Sequence, residues 1–142
     1  MSDRSFLDTN ILVYSFDLFA PEKARVANEI LKQAQLTRSA VISFQVVQEF
    51  FNVALTKFTS ALSLTEADHY LTTVLVPLLS VHSSPKLYSR ALQLKSRHKF
   101  AWYDALIVAG ALESSCTTLL TEDMQHGMRI DNLRIENPFL PR

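Results

Sequence analysis

The chain has 142 residues, 48% of them hydrophobic and 20% charged, a globular composition in which disorder is not the default and which predicts one domain, spanning 1–142, able to bury a core without staples. Fourteen basic residues balance 14 acidic ones, so there is no broad cationic face, and any hold on nucleic acid has to be local, weak or metal-assisted. A single cysteine, Cys116, excludes an internal disulfide and a cysteine-based zinc site.

In chain order, "SFL" at Ser5–Leu7 predicts a strand, and Ile11 to Tyr14 predicts the start of an apolar helix. Asp8, Thr9 and Asn10 lie between them, where short polar side chains cap helices and shape turns. "PEKARVANEILKQAQ" places Val26, Ala27, Ile30, Leu31 and Ala34 on one helical stripe, and "SAVISF" predicts a buried strand. The helix expected from Gln45 to Phe58 carries Val46, Val47, Phe50, Phe51, Ala54, Leu55 and Phe58 on one face. A further helix begins at Ser63, whose spacing to Glu66 is that of a capping box, and Pro77 is expected to stop it before a third strand, "LLSV".

Leu87, Ala91 and Leu94 mark the inward face of the next helix. "ALIVAGAL", after Asp104, is apolar nearly all round and predicts a buried helix in which Gly110 permits close packing. "TTLLT" and "NLRIE" read as the fourth and fifth strands. The longest apolar run, "TVLVPLLSV", is broken by Pro77 and too short for a bilayer, and no signal peptide is visible, so the expectation is a cytoplasmic protein. Alternation of strands and helices predicts an α/β domain with a mainly parallel sheet, which binds ligands beyond the carboxyl ends of its strands.

Carboxylates fall at those ends. Asp8 follows the first strand, Glu49 sits early in the helix after the second, Asp123 follows the fourth, and Asp104 begins the buried helix on the same edge. Each has a plainer reading: Asp8 and Asp104 as helix caps, Glu49 as a solvated partner of Gln45, Asn52 and Thr56, Asp123 as a loop acid beside Glu122. Jointly they argue for a site, because caps and loops have no reason to share one sheet edge. Clustered carboxylates repel unless a cation neutralises them, and an oxygen-only set suits Mg²⁺ or Mn²⁺. Such an ion activates water and stabilises phosphoryl charge.

"FLDTNILVY", the glutamate of the second helix, "WYDALIVAGAL" and "LLTEDMQHG" resemble, in order and spacing, the PIN-domain ribonucleases. The nearest likeness is to VapC-type toxins of toxin–antitoxin pairs, and it runs from Phe6 to the closing "NPF". The resemblance implies a three-layer α/β/α sandwich with a mainly parallel four- to five-stranded sheet. It also implies a Mg²⁺- or Mn²⁺-dependent endoribonuclease in which Asp8, Glu49, Asp104 and Asp123 match the acidic positions. Thr121 matches the small hydroxyl residue before the last acid, and Glu66 is the alternative to Glu49. Asn10 is read as orienting Asp8 or holding the turn.

Lys95, Arg97, His98 and Lys99 could meet a phosphate backbone, and Trp102 or Tyr103 could stack on a base. The alternative for the cations is a helix C-terminus complementing its dipole. His126 is a candidate proton shuttle. Surplus apolar surface on the phenylalanine-rich helix and around Tyr70, Leu71 and Val74 predicts a groove for a partner's helix. A homodimer is expected, and a cognate antitoxin that inserts a basic side chain among the acids. The competing functions are an aspartyl phosphotransferase or phosphatase and a non-catalytic RNA-binding or assembly module. Enzymes of the former kind usually carry a second Asp where Asn10 stands.

Overall fold

A computed structural model describes residues 3–141. The elements are β1 (Ser5–Leu7), α1 (Thr9–Tyr14), α2 (Pro21–Thr37), β2 (Ala40–Ser43), α3 (Phe44–Ala54) and α4 (Leu64–Tyr70). A π-helical turn (Leu71–Leu75) leads to α5 (Val76–Leu78), β3 (Leu79–Val81), α6 (Pro85–His98) and α7 (Trp102–Glu113). β4 (Thr118–Leu120), β5 (Arg129–Ile130) and β6 (Leu133–Glu136) close the order.

The sheet runs β3-β2-β1-β4-β6-β5, all parallel except the β5–β6 hairpin. Phe6, Leu7, Ile42, Leu119 and Ile135 are fully buried, as expected of strands covered by helices on their faces. The chain leaves β1 toward β2 and β3 on one side, then returns to β4 on the other. That reversal opens a crevice at the carboxyl ends of β1, β2 and β4.

The sheet has six strands where four or five were expected. The addition is β5, only two residues long and too brief to show periodicity; it turns back through Asp131, which adopts a left-handed φ of 53°. Pro77 does not stop its helix. The Val76 N–H reaches back to the Leu71 carbonyl in the π turn, and the helix runs on to Leu78. The wider turn makes room ahead of a ring that would otherwise press on the preceding carbonyls. Thr72 and Thr73 hydroxyls donate to the Asp68 and His69 carbonyls there, a contact that bends helices.

α3 ends at Ala54 rather than Phe58. Phe58 still joins Phe16 and Phe50 in an aromatic cluster that includes Tyr70. The apolar surplus predicted on α3 and around Tyr70 is therefore core: Phe50 and Ala54 are buried, and Val47, Phe51, Tyr70, Leu71 and Val74 pack against them. Apolar side chains do remain outside, among them the adjacent pair Leu18 and Phe19, 79% and 81% exposed, in the connection from α1 to α2, and Leu64, 79% exposed, at the start of α4.

Candidate active site

β1 passes into α1 through one residue, and that residue is Asp8. Its backbone is still extended (φ −73°, ψ 163°), which makes it the N-cap of α1 and aims its side chain along the sheet edge. One carboxylate oxygen accepts the Thr9 N–H at 2.7 Å and the other accepts the Thr121 hydroxyl at 2.7 Å. The capping reading of Asp8 is correct as far as it goes. Asp8 is nevertheless 5% exposed, with no cationic side chain beside it among the described residues. Burial pushes its pKa up to about 7; the Thr121 and Thr9 hydrogen bonds lower it, and the charges of Glu49 and Asp123 raise it.

β2 runs into α3 with no loop between, because Ser43 both ends the strand and caps the helix by accepting the Val46 N–H. Glu49 thus stands little more than a turn above the sheet edge. It accepts the Thr9 hydroxyl at 2.7 Å and the Gln45 amide at 3.2 Å. The alternative acid, Glu66, lies elsewhere: it is exposed and closes the predicted capping box with Ser63, at 2.9 and 3.1 Å.

Asp104 is not a cap. Ala101 occupies the N-cap of α7, and Asp104 lies in the first turn. Burial raises its carboxyl above the ordinary range, followed by the charges of Asp123 and Glu49, and no hydrogen bond offsets them among the described residues. The helix dipole at α7's N-terminus favours a negative charge there. Asp123 is exposed, and its Oδ2 accepts the Asn10 amide at 3.1 Å. Asn10 also accepts the Glu122 N–H and approaches Thr121, while the Thr121 hydroxyl accepts the Asp123 N–H at 3.1 Å. Asn10 and Thr121 therefore hold Asp8 and Asp123 in one hydrogen-bonded unit.

Asp8, Glu49, Asp104 and Asp123 line one open cleft of about 510 Å³ at the crevice, with Thr9, Asn10, Tyr14, Gln45, Tyr103 and Glu122. Among the described residues, no three Asp, Glu, His or Cys side chains already surround one point as a metal would draw them. Three of the acids are turned instead toward neutral donors. The donor chemistry still fits a hard cation: oxygen ligands only, one of them buried and two raised in pKa by burial and mutual repulsion.

Three features escaped the sequence reading. Thr9 anchors Glu49, Gln45 bridges two helices, and Glu122 is tied to Lys23 and Tyr14 behind Asp123. Burial would raise Glu122, but hydrogen bonds from Lys23 and Tyr14 and the Lys23 charge bring it below its ordinary value. The helical spacing of Gln45 and Glu49 was the one signal that pointed to any of them. His126 does not line the cleft; its Nδ1 accepts the Asn137 N–H at 3.0 Å and pins the C-terminal segment. Lys95 donates to the Phe100 carbonyl at the end of α6, in keeping with a capping role, whereas Tyr103 stands exposed on the cleft wall.

A family model described as PIN domain matches residues 5–127. The chain belongs to the PIN-domain family. Among solved structures, this PIN domain is similar to a protein of a toxin–antitoxin complex from Klebsiella pneumoniae, at 19% identity over 95% of this chain and 98% of that one, TM-score 0.67. It is also similar to a chain of VapBC2 from Rickettsia felis, bound to a promoter DNA fragment, at 21% identity, 94% and 97% coverage and TM-score 0.63. A third likeness is to a Mycobacterium tuberculosis VapC toxin that cleaves the sarcin-ricin loop, at 17% identity, 81% and 86% coverage and TM-score 0.58. At these identities the likeness establishes the fold. No curated protein matches the chain.

Proposed function

We propose that this PIN-domain protein is a metal-dependent endoribonuclease and the toxin of a toxin–antitoxin pair. The observation that carries the reading is the convergence of Asp8, Glu49, Asp104 and Asp123 on one cleft at the strand-order reversal. Asp8, Asp104 and Asp123 would hold Mg²⁺ or Mn²⁺, with Glu49 completing the set. When bound, the ion supplies an acidified water and a counter-charge for the phosphoryl oxygens.

The chain's own residues do the rest. Thr121 and the Thr9 N–H fix the Asp8 carboxylate, Thr9 and Gln45 fix Glu49, and Asn10 holds Asp123. Asp123 is the exposed acid of the four and the one most open to take a proton from an attacking water. No Lys, Arg or His among the described residues lines the cleft, and the reading is attack by metal-activated water, leaving 5′-phosphate and 3′-hydroxyl ends. The phosphotransferase reading is weaker because the position two residues after Asp8, where such enzymes usually carry a second Asp, is Asn10, whose amide is engaged with Asp123. A non-catalytic module gives no reason to bury an acid at Asp8's energetic cost.

The toxin reading rests on the toxin–antitoxin neighbours together with the acidic cleft, which suits a partner's guanidinium. A toxin that cuts RNA would work in the cytoplasm. No described helix is long and apolar enough to cross a membrane. Purified protein incubated with structured RNA should cleave it with Mn²⁺ or Mg²⁺ and stop in EDTA. Cleavage that persists in EDTA, or products ending in 2′,3′-cyclic phosphate, would overturn the chemistry.

A further inference from the structure

Gln45 is 4% exposed, and its side-chain amide hydrogen-bonds to both helices bearing the half-buried acids. Its Nε2 donates to Glu49 Oε2 at 3.2 Å and to the Tyr103 carbonyl, in the residue before Asp104, at 3.1 Å. Both partners are acceptors only, so the orientation of the amide is forced. The Tyr103 carbonyl lies in the first turn of α7, where it also faces the N–H four residues on, so Gln45 takes its second lone pair.

We propose that Gln45 is a positioning residue that sets the placement of Glu49 relative to Asp104, and so the affinity of the cleft for a divalent cation. This rests on the metal-site reading above. Gln45 reaches the cation only through the Glu49 carboxylate it holds, with the Tyr103 carbonyl as its anchor on α7. A glutamine buried merely to satisfy its own polar atoms would need any two acceptors. This one joins the two carboxylate-bearing turns, on α3 and α7, whose acids have no direct hydrogen bond to each other among the described residues. Groups that orient metal ligands typically matter ten- to a hundred-fold in metal affinity.

The test is Mn²⁺ titration of the full-length protein by calorimetry, with melting curves recorded in EDTA. Gln45→Met keeps the side-chain length and removes both donors. It should lower Mn²⁺ affinity by roughly ten-fold or more. In a Glu49→Gln background the same substitution should change affinity by less than about two-fold, because its effect passes through Glu49. Unchanged affinity in Gln45→Met, or an undiminished drop in the Glu49→Gln background, overturns the proposal. If Gln45→Met does not fold, Gln45→Asn, whose amide stops one methylene short of both acceptors, is held to the same two outcomes. Wild-type protein that binds no Mn²⁺ removes the metal-site reading and this proposal together; wild-type binding with unaltered Gln45 variants removes this proposal alone.

Discussion

Asp8 is held in a place where its charge is unfavourable, and the consequence has a definite sign. Its carboxyl titrates near 7 in the folded chain, against 3.8 for the free side chain, so the native state binds the extra proton between those values. Stability from this group is complete below about pH 4 and is lost as pH rises through 7. In EDTA, Asp8→Asn should therefore melt at or above wild type at pH 8, with the advantage shrinking toward pH 5. A tenfold change in proton affinity on folding corresponds to ~1.4 kcal/mol, so the difference is measurable by calorimetric melting. A wild-type advantage that grows with pH would contradict the sign. The same variant, like Asp104→Asn, should lose cleavage by orders of magnitude with its fold intact. Full activity in either would reduce these acids to local structure.

At the scale of elements, this chain has two glycines, and its left-handed helix ends fall on other residues. Arg38 closes α2 at φ 55° and Lys99 closes α6 at φ 59°, each donating its N–H to a carbonyl four residues back. A side chain there costs about 1 kcal/mol relative to glycine. Arg38 is exposed, so Arg38→Gly should raise the melting temperature by a few degrees without touching the cleft. The reverse holds inside α7. A Cβ at Gly110 would meet the Phe6 ring at 3.4 Å and Val81 at 3.7 Å, ordinary contact distances, so close packing does not demand glycine. Gly110→Ala should be neutral or stabilising by up to ~1 kcal/mol, whereas Gly110→Val adds methyls with no room against Phe6. A large loss in Gly110→Ala, read by denaturant midpoint, would show a tighter interface than this geometry.

For the whole molecule, zero formal charge and an acidic cleft mean that, in the proposed function, phosphate attraction would depend on a bound cation. RNA binding should therefore weaken in EDTA as well as at high salt. Expression alone should arrest growth, and co-expression with a small antitoxin from the adjacent gene should restore it. Equal harmlessness of wild type and Asp8→Asn at equal soluble levels would end the toxin reading and leave the nuclease reading standing. The homodimer expectation is checked by sedimentation; a monomer at all concentrations removes it.

The sequence by itself determined the α/β class, the buried all-apolar α7, the capping box at Ser63, and the sheet edge on which the acids gather. These rest on local periodicity and on strand ends, which are written in consecutive residues. It also marked Asp8, Asp104 and Asp123, because each adjoins a sharp strand or helix boundary. That Glu49 and not Glu66 lines the cleft appeared only in three dimensions: both occupy early helical turns, but Glu66 folds back on Ser63 while Glu49 faces Thr9 across the crevice. Tertiary packing likewise covered the phenylalanine face of α3, carried its helix past Pro77 through a π turn, and made Asp104 a first-turn residue rather than a cap. Gln45 became a bridge only when α7 was laid against it, since a hydrogen bond between distant segments has no signature in either one.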